Sequence, residues 1–151
     1  MADDKHYYFA YGSNMDADQM ALRCPGSQLV GSARLQGYSF LINERGVASV
    51  IPAQDGVVHG LLWHITPYDE NALDRYEGVA KGYYLKEVFP VHPDDTSVVV
   101  QAIVYVASNN RPGSPRPGYL EKIVQAGCEH GFPCEYIAEL ESWMARRKLQ
   151  G

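Results

Sequence analysis

Apolar and polar positions alternate with a period that changes several times along this chain, and the changes mark its elements. Tyr7 to Tyr11 is a continuous aromatic run, the pattern of a buried strand, and Gly12-Ser13-Asn14 breaks it. Asn14 or Asp16 is placed to cap a short helix that runs to about Arg23 and stops at Cys24-Pro25-Gly26. Four strand-like runs follow: Gln28 to Leu35, Gly37 to Ile42, Val47 to Pro52 and Val57 to Ile65. The Gly-, Asn- and Asp-containing links between them are short, which predicts antiparallel neighbours.

The period then becomes helical. Thr66-Pro67-Tyr68-Asp69 combines an N-cap, a proline at the first helical position and an acidic third residue, and Gly78 supplies the stop, so this helix ends beside Glu77. Two longer strands, Tyr83 to Val91 and Val98 to Val106, flank a polar turn at Pro93-Asp94-Asp95. Ser108 to Gly118 holds three prolines and two glycines and reads as a surface loop of the length that often carries function. Beyond it, Leu120, Ile123, Val124 and Cys128 recur at helical spacing, closed by Gly131 and Pro133. A last helix begins near Cys134, its stripe of Ile137, Leu140 and Met144 with Tyr136 and Trp143 suited to core packing. The elements add up to an α+β domain, a curved, mainly antiparallel sheet with helices packed against it.

Composition narrows the function classes. At 151 residues with 46% hydrophobic content, the chain fits one compact domain. A net charge of -5 argues against nucleic acid, which requires a clustered basic face. The cluster Arg146-Arg147-Lys148 reads as cations at the negative end of the last helix. No apolar run approaches the ~20 residues of a membrane helix, and no basic-then-apolar leader is evident, so a cytoplasmic protein without membrane partners is expected. Cys24, Cys128 and Cys134 are odd in number and lack paired zinc spacing, which points to reduced thiols and no metal.

Two places could carry chemistry. At Tyr11-Gly12-Ser13-Asn14-Met15 a strand stops at glycine and enters a helix, leaving successive backbone N–H groups able to receive a carboxylate or an oxyanion; an ordinary strand-to-helix turn has the same spacing. Glu77 sits at a helix C-terminus beside Tyr76, Val79, Tyr83 and Tyr84, where unpaired carbonyls and desolvation would raise its pKa towards that of an acid/base catalyst; a solvated glutamate beside a capping glycine fits as well. His59 and His64 lie five apart, on opposite faces of a regular strand. There is no Gly-x-Ser-x-Gly elbow and no phosphate-cradling glycine run. Eleven tyrosines exceed what a core needs and can lend hydroxyls to a polar pocket.

Read in order, Tyr8-Phe9-Ala10-Tyr11-Gly12-Ser13-Asn14-Met15, Ala33-Arg34-Leu35, Gly60-Leu61-Leu62-Trp63, Leu73-Asp74-Arg75-Tyr76-Glu77-Gly78-Val79 with Gly82-Tyr83-Tyr84, and Tyr119 opening a helix after a proline-rich loop resemble the γ-glutamylcyclotransferase, or AIG2-like, family over most of the chain. The resemblance implies a single barrel-like cyclotransferase domain over residues 1–151, without cofactor. It makes Glu77 the acid/base residue, Tyr11, Gly12, Ser13, Asn14 and Met15 the loop that binds the glutamyl group, and Tyr84, Tyr119 and, less securely, Tyr105 supporting contacts.

The implied reaction is attack of a γ-glutamyl substrate's α-amine on its own γ-amide carbonyl, giving 5-oxoproline and a free amine. Asn14 after Ser13 is similar to enzymes acting on γ-glutamyl amino acids or γ-glutamylated antibiotic intermediates, while the loop Arg111 to Gly118 departs from the human-type pattern in length and charge. A cyclotransferase that deprotects γ-glutamylamines or antibiotic intermediates and a non-catalytic γ-glutamyl- or carboxylate-binding module are the competing readings. A homodimer is left open.

Overall fold

The run beginning at Tyr7 forms the first strand of a closed five-stranded barrel in the computed structural model, which describes residues 6–150, with side chains through 144. The strands are β1 (His6–Ala10), β2 (Gln28–Ile42), β3 (Ala48–Ile65), β4 (Tyr84–Pro93) and β5 (Val100–Ala107). Their order around the barrel is β1-β3-β2-β4-β5, antiparallel throughout except where β5 returns beside β1 in parallel, Tyr7 opposite Ala102 and Tyr8 opposite Ile103. Tyr8, Phe9, Ala10 and, just past the strand, Tyr11 are all buried, because one face of the strand points into the barrel and the other is covered by packed elements.

Four strand-like runs were expected between Gln28 and Ile65, and the structure has two long strands instead. The pairing runs from Gln28 opposite His64 to Ile42 opposite Ala48, interrupted by register shifts between Leu29 and Gly31 and between Gln36 and Tyr38. At the second shift Gln36 faces Val57 and Tyr38 faces Pro52, so residues 53–56 bulge out opposite Gly37. Glycine and Asp-Gly signals that read as turns therefore act as bulges, which bend long strands enough to close a small barrel.

Helices α1 (Ala17–Arg23), α2 (Pro67–Tyr76), α3 (Tyr119–Glu129) and α4 (Cys134–Gln150) lie close to their expected positions. Among the described residues no helix is long and apolar enough to cross a membrane. Tyr136 and Leu140 of α4 are buried and Ile137, Trp143 and Met144 pack beside them, while Arg146, Arg147 and Lys148 lie outside the residues whose side chains are described. Cys24 is buried, Cys128 and Cys134 are exposed, and all three are free. His59 packs on Phe132 and Tyr136, whereas His64 packs on Tyr7.

The helix that carries Glu77 is the most firmly anchored by local chemistry. The Thr66 hydroxyl accepts the Asp69 N–H at 3.2 Å while Asp69 Oδ2 accepts the Thr66 N–H at 3.1 Å, completing the capping box. Asp69 Oδ1 also accepts the Gly26 N–H at 3.2 Å, tying α2 to the exit of α1. Leu73 is fully buried against the barrel, a burial that contributes roughly 2 kcal/mol. On the outer flank Lys86 of β4 bridges Asp74 and Glu70, and the Tyr105 hydroxyl donates to Asp74 Oδ1 at 2.6 Å.

Asp69 has no exposure, so Asp69→Ala strands two donors as well as removing a cap. Urea unfolding is expected to register a loss of about 2 to 3 kcal/mol with an unaltered m value, and a loss under about 0.5 kcal/mol would contradict the anchoring described.

Candidate active site

After Ala10 pairs with Leu61, the chain leaves the barrel through Tyr11 and Gly12 into a one-turn 3₁₀ segment, Ser13–Met15. Its first bonds run from the Met15 N–H to Gly12 O at 3.0 Å and from the Asp16 N–H to Ser13 O at 3.2 Å. The amides of Gly12, Ser13 and Asn14 come before that first bond and receive no acceptor from the turn. Asp16 then caps α1 by accepting the Asp18 N–H at 3.0 Å. The Asn14 side chain is buried and held from both ends: its Nδ2 donates to the Tyr8 hydroxyl at 3.0 Å and its Oδ1 accepts from Arg23. Met15 is buried in the core, its amide already bonded, and it does not line the cavity that the rest of the turn faces.

Across that cavity stands Glu77, the C-cap of α2. Its N–H donates to Leu73 O at 2.8 Å, and Gly78 follows in the left-handed conformation (φ 68°), where a Cβ would meet the Tyr83 ring at 2.7 Å. The reversal at Gly78 turns the chain away and leaves the Glu77 carboxyl directed into the barrel mouth. Expected site residues Tyr11, Gly12, Ser13, Asn14, Glu77, Tyr84 and Tyr119 all border this one cavity of about 340 Å³, together with Tyr8, Phe9, Ala48 and the ring of Tyr105.

Desolvation pushes the Glu77 carboxyl up to about 7, opposed only by the Arg23 guanidinium, which favours its charged form. Tyr76 and Tyr83 are 48% and 46% exposed and lie under the guanidinium groups of Arg23 and Arg45, so of the named neighbours only Tyr84 walls the inner cavity. The remaining walls are Tyr8, Phe9, Tyr11, Tyr105 and Tyr119 with Ala48 and the turn Gly12 to Asn14.

Each tyrosine hydroxyl has a direction set by its first partner. The Tyr11 hydroxyl donates to the Tyr105 carbonyl at 2.5 Å and that of Tyr84 to the Ala48 carbonyl at 2.8 Å, so both offer the cavity lone pairs only. The Tyr119 hydroxyl accepts the Ala48 N–H at 2.9 Å, and the Tyr8 hydroxyl accepts from Asn14, so both keep a hydrogen to donate. Burial raises the pKa of all four, which keeps them neutral donors and acceptors at ordinary pH. The hydroxyl of Tyr105 is turned away to Asp74, and only its ring and carbonyl serve the cavity.

Three participants were not singled out from the sequence. Tyr8 is hidden inside an aromatic run buried on both faces, where alternation cannot tell wall from core. Ala48 acts through its peptide group, to which residue type is blind. Arg23, at the end of α1, reaches Asn14 and the Glu77 field only through the fold. Among the described residues no three His, Cys, Asp or Glu side chains gather into a metal-binding group.

The sequence model of the AIG2-like family matches residues 57–140, a segment that contains Glu77, Tyr84 and Tyr119. The chain is similar to the human protein named gamma-glutamylcyclotransferase, at 27% identity over 93% of this chain and 79% of that one, and to its mouse counterpart, at 28% over 89% and 77%. A solved structure described as gamma-glutamyl cyclotransferase superposes with a TM-score of 0.83 at 27% identity, covering 91% of this chain and 86% of that one.

Glu77 should subtract stability in a defined pH window. Its folded value of about 7 exceeds the ordinary 4.5, so between these values the folded chain retains a proton that the unfolded chain releases. The penalty is absent below the lower value, grows as pH rises through the window and is constant above it. Glu77→Gln is expected to stabilise the protein by up to about 3 kcal/mol at about pH 8 and by almost nothing at about pH 4. Equal thermal shifts at both pH values would contradict the desolvated carboxyl.

Proposed function

The chain belongs to the AIG2-like family, and from that membership we propose that its cavity converts a γ-glutamyl amino acid or γ-glutamyl amine to 5-oxoproline and a free amine, with Glu77 as general acid/base. It is an enzyme of the γ-glutamylcyclotransferase-like class. The observation that carries the proposal is the desolvated Glu77 carboxyl facing, within one small cavity, the amides of Gly12, Ser13 and Asn14.

A γ-glutamyl head brings an ammonium, a carboxylate and the amide carbonyl under attack, and the cavity has matching groups for each. The lone pairs of Tyr11 and Tyr84 together with the Glu77 carboxylate suit the ammonium. The Gly12 to Asn14 amides and the hydroxyl hydrogen of Tyr119 suit the carboxylate or the oxygen that gains charge as the carbonyl becomes tetrahedral. Holding the folded rotamer in which amine and carbonyl meet is the larger part of the task, because both belong to one molecule.

Glu77 first takes a proton from the ammonium, and the freed nitrogen attacks the γ-carbonyl, forming the ring C–N bond. The tetrahedral intermediate, whose ring nitrogen still carries two hydrogens, then collapses as the protonated Glu77 returns its proton to the departing nitrogen and the original amide C–N bond breaks; the regenerated carboxylate takes the second ring N–H proton and passes it to the released amine, which leaves as an ammonium. Neither an external nucleophile nor net proton exchange is required, and a carboxyl near 7 can both accept and return a proton at neutral pH.

The test is release of 5-oxoproline from γ-glutamyl-alanine, measured by mass spectrometry. Glu77→Gln is expected to lower turnover by ~10² or more, and wild-type kcat/KM should rise with pH through about 7 as the base form accumulates. Near-wild-type turnover by the variant would refute the role of Glu77. Thermal stabilisation of the wild type by γ-glutamyl-alanine with no product formed would instead favour a binding module.

A further inference from the structure

Outside the inner cavity lies a second, wider space of about 610 Å³ that shares Ser13, Glu77, Tyr84 and Tyr119 with it and is otherwise bordered by Arg45, Val47, Tyr76, Tyr83 and Arg116. The four shared residues form the threshold between the two. With a glutamyl head inside and its γ-carbonyl at Glu77, the amine to be expelled would lie in this outer space.

We propose that Arg45 and Arg116 form a leaving-group subsite that selects substrates whose expelled amine carries a carboxylate, so that the preferred substrates are γ-glutamyl amino acids or peptides rather than neutral or cationic γ-glutamylamines. The proposal rests on the cyclotransferase reading of the inner cavity.

The two arginines are brought together by a specific backbone arrangement. Asn43, fully buried between β2 and β3, accepts the N–H groups of Arg45 at 3.0 Å and Val47 at 3.3 Å through its side chain, fixing the turn that presents Arg45. The proline-rich loop is stitched to that turn: the Arg116 N–H donates to Gly46 O at 3.1 Å and its Nε to Arg45 O at 2.8 Å. Gly46 has φ 81°, and a Cβ there would lie 2.7 Å from Arg116 Cγ, so the turn and the arginine stem pack in direct contact. Arg116 O then accepts the Tyr119 N–H at 3.1 Å, linking the subsite to α3 and the inner cavity.

Neither guanidinium has a carboxylate within ion-pair distance among the described residues, where the pairs formed are those of His6, Arg34 and Lys86. Arg45 rests over the Tyr83 ring, 4.1 Å from its centroid, and Arg116 uses one nitrogen on the Arg45 carbonyl, so terminal N–H groups of both stay available. Glu77 does not take that place, since the cation acting on its carboxyl is Arg23. In a chain of net charge -5, two neighbouring cations without a counterion repel each other until an anion bridges them. A carboxylate matches the planar guanidinium fork, while an ammonium-bearing leaving group meets repulsion.

The test compares γ-glutamyl-alanine with γ-glutamyl-alaninamide, which has nearly the same size but a neutral terminus. Wild type is expected to favour the acid by about tenfold or more in kcat/KM, an advantage that shrinks as salt is raised. The double variant Arg45→Met/Arg116→Met should bring the ratio to about one, and Arg45→Lys/Arg116→Lys, which keeps both charges, should retain most of it. Equal handling of the two substrates by wild type, or a preference that survives in the methionine variant, overturns the subsite while leaving the cyclotransferase reading intact. Failure to form 5-oxoproline from either substrate overturns both.

Discussion

In the reaction proposed for this protein, removal of a single carboxyl group from water governs the chemistry. Glu77 occupies the mouth of a barrel lined by tyrosine edges, and burial there raises its proton affinity to the neutral range. A carboxyl on a loosely held helix would escape that environment by swinging into solvent. The structure prevents this from three sides: the capping box and Asp69 fix the start of α2, Leu73 buries its inner face, and Lys86 with Tyr105 holds Asp74 on its outer face. Gly78 then turns the chain sharply enough that the carboxyl stays directed inward.

The barrel is what makes the neighbourhood polar without making it wet. The backbone of a single residue, Ala48, orients two tyrosines in opposite senses, taking a hydrogen from Tyr84 through its carbonyl and giving one to Tyr119 through its N–H. The cavity thereby acquires acceptors and donors at fixed positions from side chains that stay uncharged, which suits a substrate head carrying both an ammonium and a carboxylate. Charge is kept to the margins, with Arg23 behind Asn14 and Arg45 and Arg116 at the outer rim. In the proposed reaction this arrangement would separate recognition of the glutamyl head from discrimination among expelled amines.

Features set by neighbours along the chain are legible in the residues themselves. The α2 helix is complete in Thr66-Pro67-Tyr68-Asp69 and Gly78, and the Ser108 to Gly118 loop is evident from its prolines. Closure of the barrel is not legible, because the parallel contact of β1 with β5 joins segments nearly the whole barrel apart in sequence and leaves no local trace. Gly37 and Asp55-Gly56 read as turns because bulges use the same residues, and only pairing across the sheet distinguishes the two. Resemblance in the order of motifs leads to Glu77, Tyr84 and Tyr119, but the sense of each hydroxyl depends on Ala48, 36 and 71 residues away, and the pairing of Arg45 with Arg116 on a loop crossing of similar span.

The central claim is that the Glu77 carboxyl is desolvated within the cavity of the free protein. Titration of its side-chain carbon by ¹³C NMR, assigned by comparison with Glu77→Gln, tests this directly. The account predicts a midpoint at about 7, and a midpoint at the ordinary 4.5 would contradict it.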